Sequence, residues 1–205
     1  MRPPERTRIR VSPGAPALLA VFVWLSSPEV LGAVLLAALC HELGHYAALR
    51  RRGGWVRAVR ISALGAEMQV EGRMSYGGEL LEAAAGPAVN LLLAAALGLL
   101  GRWWEPLYLL AGAQAVLGCF NLLPILPLDG GRMLWLALCW GADPFLADRV
   151  TQAASLAAAG LLTVAGAALA RRSPFLLWTA AALLVCAAGP CIKGRRSVYA
   201  SHKGR

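Results

Sequence analysis

The chain has 205 residues, of which 58% are hydrophobic and 15% charged, against about 25% charged in soluble globular domains. Such a chain cannot clothe a water-facing surface, and its apolar content also excludes disorder. Its 22 Gly and 12 Pro follow no fixed period, which excludes a collagen-like repeat. The formal net charge of +9 does not point to nucleic acid, because most Lys and Arg lie in short segments between apolar runs, as membrane-flanking charge does. What remains is a small polytopic membrane protein.

In chain order, a basic N-terminal stretch (Arg2, Arg6, Arg8, Arg10) precedes an apolar run, Val11–Leu25. That run is short for a hydrocarbon core that takes ~20 helical residues. It ends in the turn Ser26-Ser27-Pro28-Glu29 rather than a small-residue cleavage site, so no cleavable leader is expected. Val30–Leu49 is a second span, stopped by Arg50-Arg51-Arg52-Gly53-Gly54. Trp55–Tyr76 alternates partly between apolar and charged residues, with Gly65 and Gly72 as punctuation. The pattern predicts a short β-hairpin at the membrane surface, with a surface loop as the other reading.

Glu79–Leu100 is a third span and contains Gly86, Pro87 and Asn90; Arg102-Trp103-Trp104-Glu105-Pro106 is an interfacial break. Leu107–Leu126 is a fourth span, running into Pro127-Leu128-Asp129-Gly130-Gly131-Arg132. Met133–Gly141 is too short to cross and is expected along the interface. Val150–Ala170 and Phe175–Ile192 are the fifth and sixth spans, separated by Arg171-Arg172-Ser173-Pro174 and followed by a basic tail, Lys193–Arg205. The five Cys form no C-x-x-C pair and read as small buried apolar residues. The expected fold is thus an all-α polytopic membrane protein. It has about six transmembrane helices and a short membrane-associated β-hairpin between spans two and three. Residues 1–192 would form the membrane domain and 193–205 a cytoplasmic tail.

With the N-terminus in the cytoplasm, every Lys and Arg except Arg102, Arg171 and Arg172 falls on the inner side. The positive-inside rule therefore predicts cytoplasmic N- and C-termini.

Ionisable groups inside a span are functional candidates by default. The second span contains His41-Glu42-Leu43-Gly44-His45. Residues i and i+4 share a helix face, so both imidazoles can reach one ion, and Glu42 can contact water there without being a ligand. This is H-E-x-x-H, the zinc-hydrolase pattern. Zinc needs a third protein ligand. His202 lies in the tail and is a poor candidate; Asp129 is better. Pro124 and Pro127 break the helix before it, and the topology puts the end of span four on the same side as the end of span two. A turn Asp before Gly-Gly is the alternative reading of that position.

His41–His45 together with Asn121–Arg132 resembles the site-2 protease family of intramembrane zinc metalloproteases. The run Asn121-Leu122-Leu123-Pro124-Ile125-Leu126-Pro127-Leu128-Asp129-Gly130-Gly131-Arg132 is most similar to the branch that processes a pro-sigma factor during endospore formation. Gly86-Pro87-x-x-Asn90 also resembles a motif of that family. The resemblance implies one Zn²⁺ held by His41, His45 and Asp129, with Glu42 as general base. It implies that Asn121 lies near the cleft, placing substrate or an oxyanion, and that Asn90 is a supporting polar group. For Asn121 a capping or interhelical hydrogen bond is an equal reading. The implied partners are a membrane-associated protein substrate, such as a pro-sigma factor, inhibitory membrane proteins and the lipid bilayer, and not nucleic acid. The implied location is a bacterial cell membrane, the mother-cell-derived membrane around the forespore in the sporulation branch. Control by the nucleotide-binding domain common in that branch, or by the PDZ domain of the envelope-stress branch, is not expected from this sequence.

The competing reading is a catalytically inactive membrane scaffold or substrate-binding protein, against which the intact Glu42 argues. A prenyl-protein zinc hydrolase fits Asp129 less well, and a transporter would show a repeated half.

Overall fold

A computed structural model describes residues 8–12, 16, 20, 22–24, 26–62, 65–71, 75–141 and 143–169. About half of the apolar run Val11–Leu25 falls outside these residues; the sixth predicted span, Phe175–Ile192, and the tail fall wholly outside them. The chain divides into two compact units, Met1–Phe120 and Asn121–Arg205.

In the first unit, β1 (Arg8–Val11) leads to α1 (Pro28–Arg51), β2 (Trp55–Ser62), β3 (Gly65–Glu71), α2 (Tyr76–Leu100) and α3 (Leu107–Asn121). Helix α1 starts where Ser27 accepts a hydrogen bond from the Val30 amide, with Pro28 in the first turn and Glu29 at the positive end of the dipole. It stops at Arg50 and Arg51. There Gly53 takes φ +76°, a left-handed conformation that glycine adopts without strain. Ser75 caps α2 in the same way through the Gly78 amide. Leucines 35, 36, 39 and 43 of α1 and 92 and 99 of α2 face outward. An outward apolar face is what a lipid-exposed helix presents.

β2 pairs antiparallel with β3 in the register Ile61 to Ala66 and Trp55 to Glu71, with an irregularity between Val56 and Ala58. The chain thus pairs two strands where a hairpin is predicted. β1 adds a third strand, parallel to β2, with Arg8 opposite Ala58 and Val11 opposite Ile61. The sequence reading assigned Arg8–Val11 to a basic stretch and the start of an apolar run; four residues carry too little period to reveal a strand.

α3 covers 15 residues, about 22 Å at 1.5 Å per residue. It ends at Asn121 rather than at Leu126, because Pro124 and Pro127 supply no amide hydrogen and disfavour helix before them.

In the second unit, α4 (Asp129–Gly141) and α5 (Pro144–Leu169) pack together. α4 begins earlier than the predicted Met133, with Asp129 in its first turn. α5 begins before the predicted Val150, because the Asp143 carboxylate and carbonyl take the amides of Phe145 and Ala147 and Pro144 fits the first turn. The indole of Trp135 donates to Asp148 at 2.7 Å, tying α4 to α5. Among the described residues three helices, Pro28–Arg51, Tyr76–Leu100 and Pro144–Ala168, are long and apolar enough to cross a membrane.

Candidate metal centre

The helical period puts His41 and His45 on the buried side of α1, at 5% and 6% exposure. Their Nε2 atoms stand 3.1 Å apart, with the rings at 81°. Glu42, the next residue in sequence, is half-buried on the flank of that face.

Helix α2 builds the opposite wall. A Cβ on Gly44 would come within 2.8 Å of the Ala85 carbonyl oxygen, and one on Gly86 would overlap the His45 ring. Glycine at both positions lets the two helices approach closely, and the approach seats His45 on Glu82. His45 Nδ1 lies 2.8 Å from the main-chain oxygen of Glu82. A carbonyl oxygen can only accept, so Nδ1 carries the proton and Nε2 is left with its lone pair toward His41. The carboxylate of Glu82 is also buried, with Oε1 3.8 Å from the same Nδ1.

This donor set fits a zinc ion. Two imidazole nitrogens at ~2.0–2.1 Å from one tetrahedral zinc stand about 3.3–3.4 Å apart, close to the separation observed. A proton fixed on Nδ1 by a carbonyl is also the usual outer support of a metal-binding His.

Of the other predicted residues, Asn90 lies one turn beyond Gly86 on α2. It is fully buried against α3, its Cβ 3.1 Å from where a Cβ of Gly118 would sit. Asn121 is the half-buried last residue of α3. Asp129, half-buried, opens α4 behind the loop 122–128. Glycine at 130 and 131 is required there. A Cβ at either would run into main-chain atoms, those of Leu122 and Leu123 for the first and those of Ile125 and Leu126 for the second.

Glu82 was missed from sequence. Its signal was available, since a carboxylate inside an apolar run is a functional candidate. Gln114, buried at 3% exposure on α3, carried the same weaker signal. Ser155 of α5, whose hydroxyl bonds the loop before Asp129, carried none.

Residues 96–165 match the family model of peptidase family M50. By structure, the chain resembles the site-2 protease from Methanocaldococcus jannaschii at TM-score 0.69 and 20% identity, over 91% of this chain and 92% of that one. The two proteins share a fold. Rip3 of Mycobacterium tuberculosis, which bears the name of a zinc metalloprotease, is 36% identical over 56% of this chain and 32% of its own length. A zinc metalloprotease of M. jannaschii is 28% identical over 49% of this chain and 32% of its own length. The chain therefore spans about a third of the length of the curated relatives it matches.

Proposed function

We propose that the chain is an M50-type intramembrane zinc metalloprotease, integral to a bacterial cell membrane, that hydrolyses a peptide bond of a membrane-associated protein. The observation that carries this reading is the buried imidazole pair of α1, Nε2 to Nε2 at 3.1 Å, with His45 proton-locked by the Glu82 carbonyl. It is supported by the M50 match and by the zinc metalloprotease names of the relatives.

His41, His45 and Asp129 hold the ion in this reading. Each offers one ligand atom, an imidazole nitrogen from each His and a carboxylate oxygen from Asp129. When bound, zinc supplies Lewis acidity to the scissile carbonyl and to water. Glu42 takes a proton from water on its carboxylate and returns it to the leaving amine. Asn121 places the substrate or an oxyanion, and Asn90 is a supporting polar group on α2. A helical substrate shields its own peptide groups, so the cleaved segment enters extended, and pairing with the edge of the β1–β2–β3 sheet holds it. Inhibitory membrane proteins regulate it, both termini are cytoplasmic, and a pro-sigma factor of a sporulating cell is the substrate type that residues 121–132 favour.

The test is co-expression of the full chain with a candidate membrane-associated pro-sigma factor, alongside metal analysis of the purified protein. Expected are cleavage by the wild type, none by Glu42→Gln, and about one zinc in both. Protein that retains no zinc, or a Glu42→Gln variant that still cleaves, overturns the reading.

A further inference from the structure

We propose that Ser155 of α5 is a positioning residue for the Asp129 carboxylate: its hydroxyl fixes the loop before Asp129 and thereby sets the affinity for zinc. The inference rests on the reading that Asp129 is a zinc ligand.

The loop 122–128 is irregular backbone, and each of its buried amides needs an acceptor. Pro124 and Pro127 have no amide hydrogen. Ile125 donates to the Leu123 carbonyl and Leu128 to the Ile125 carbonyl, each at 2.7 Å. The Leu126 amide instead leaves the loop and donates to Ser155 Oγ at 3.1 Å.

Ser155 is 1% exposed. A hydroxyl has one proton and two acceptor sites. The proton goes to the Thr151 carbonyl, 2.7 Å away and one turn back on α5, with the Pro124 carbonyl a longer second acceptor at 3.3 Å. The first contact is the common back-bond of a helical serine. What is particular here is that the same oxygen also grips two residues of the loop.

Downstream, Gly130 and Gly131 press the first turn of α4 against the main chain of residues 122–126. A shift of Leu126 is therefore passed to Asp129, three residues on, rather than absorbed between them. The Trp135–Asp148 bond holds the far side of α4 to the same helix, α5. Ser155 thus acts on the ligand through the main chain and touches neither ion nor substrate.

The experiment measures zinc affinity by competition with a chromophoric chelator. It uses the full chain in detergent as wild type, Asp129→Ala, Ser155→Ala and Ser155→Thr. Amide exchange at Leu126 is followed in parallel. Ser155→Ala should weaken zinc about tenfold, within the range for outer supports of metal ligands, and speed exchange at Leu126; Ser155→Thr, which keeps the hydroxyl, should restore both. Wild-type affinity in Ser155→Ala, with Asp129→Ala strongly weakened, overturns this inference alone. Equal loss in Ser155→Ala and Ser155→Thr assigns the effect to packing and also overturns it. Wild-type affinity in Asp129→Ala removes the ligand reading and this inference with it. If Ser155→Ala does not fold, the wild type decides: a protected Leu126 amide supports the inference, and a freely exchanging one overturns it.

Discussion

His45 donates its Nδ1 proton to the main-chain carbonyl of Glu82, 2.8 Å away across the contact between α1 and α2. The bond makes one tautomer the stable one, and it does so through backbone, which no substitution at residue 82 removes. The geometry depends instead on how closely the two helices approach, and hence on the glycines between them.

Gly86→Ala should therefore act on the metal. Its new methyl would overlap the His45 ring, so the ring must leave the Glu82 carbonyl or the helices must part. Zinc affinity is expected to fall 10–100-fold, as when other supports of a metal-binding His are lost. Gly32→Ala on α1 is the control: nothing lies within 4 Å of its Cβ, and it should raise thermal stability by about 0.5–1 kcal/mol through helix propensity. Chelator competition and thermal unfolding of the two variants check the pair.

Glu42 and His45 should separate chemistry from binding. Glu42→Gln keeps size and removes the base; cleavage should drop by about 10²–10⁴-fold while zinc content stays at wild type. His45→Ala should lose both. Chelation of wild-type protein should abolish cleavage, and added zinc should restore it. A scaffold protein would show neither the Glu42 effect nor any dependence on metal.

The parts of this site that follow the helical period were legible in sequence. His41 and His45 are one turn apart, and that alone puts them on one face. The break in the chain before Asp129 was legible through Pro124 and Pro127. Glu82 supplies a main-chain oxygen, which every residue has, so the identity of His45's partner could not be read before α1 and α2 were in contact. Ser155 is one small residue in an Ala-rich helix, and its role arises only from the loop folded against it. The strand β1 pairs with residues some fifty positions later in the chain, and nothing local announces it. The end of α3 was misplaced for a different reason: the apolar pattern runs on through Leu126, while the prolines, not the hydrophobicity, end the helix.

Asn90 offers a test of function against stability. It is fully exposed to none of the solvent, and neither its Oδ1 nor its Nδ2 has a hydrogen-bond partner among the described residues. An unpartnered buried amide costs about 1–3 kcal/mol, and Leu repeats the branched heavy-atom skeleton of Asn with bulkier ends. Asn90→Leu should hold or raise the unfolding temperature and leave zinc affinity unchanged. If the amide supports substrate, cleavage should nonetheless slow. A marked loss of stability would show instead that the amide is bonded within the folded protein.

Substrate pairing can be tested at the sheet, and the register decides where. Ile61 of β2 lies opposite Val11 on one side and Ala66 on the other, so Ile61→Pro would damage two ladders at once and unfold the sheet whatever the substrate does. β3 has β2 on one side and no strand on the other among the described residues. Along a paired antiparallel strand, successive amides point alternately toward the neighbour and away from it. Of Met68→Pro and Gln69→Pro, one therefore removes a bond to β2 and the other removes an outward donor that an added strand would use. The second should keep stability and zinc while cleavage of a membrane-associated substrate falls several-fold; the first should lower the unfolding temperature. If the stable variant of the two cleaves at the wild-type rate, the substrate does not add to this edge and must be held extended elsewhere.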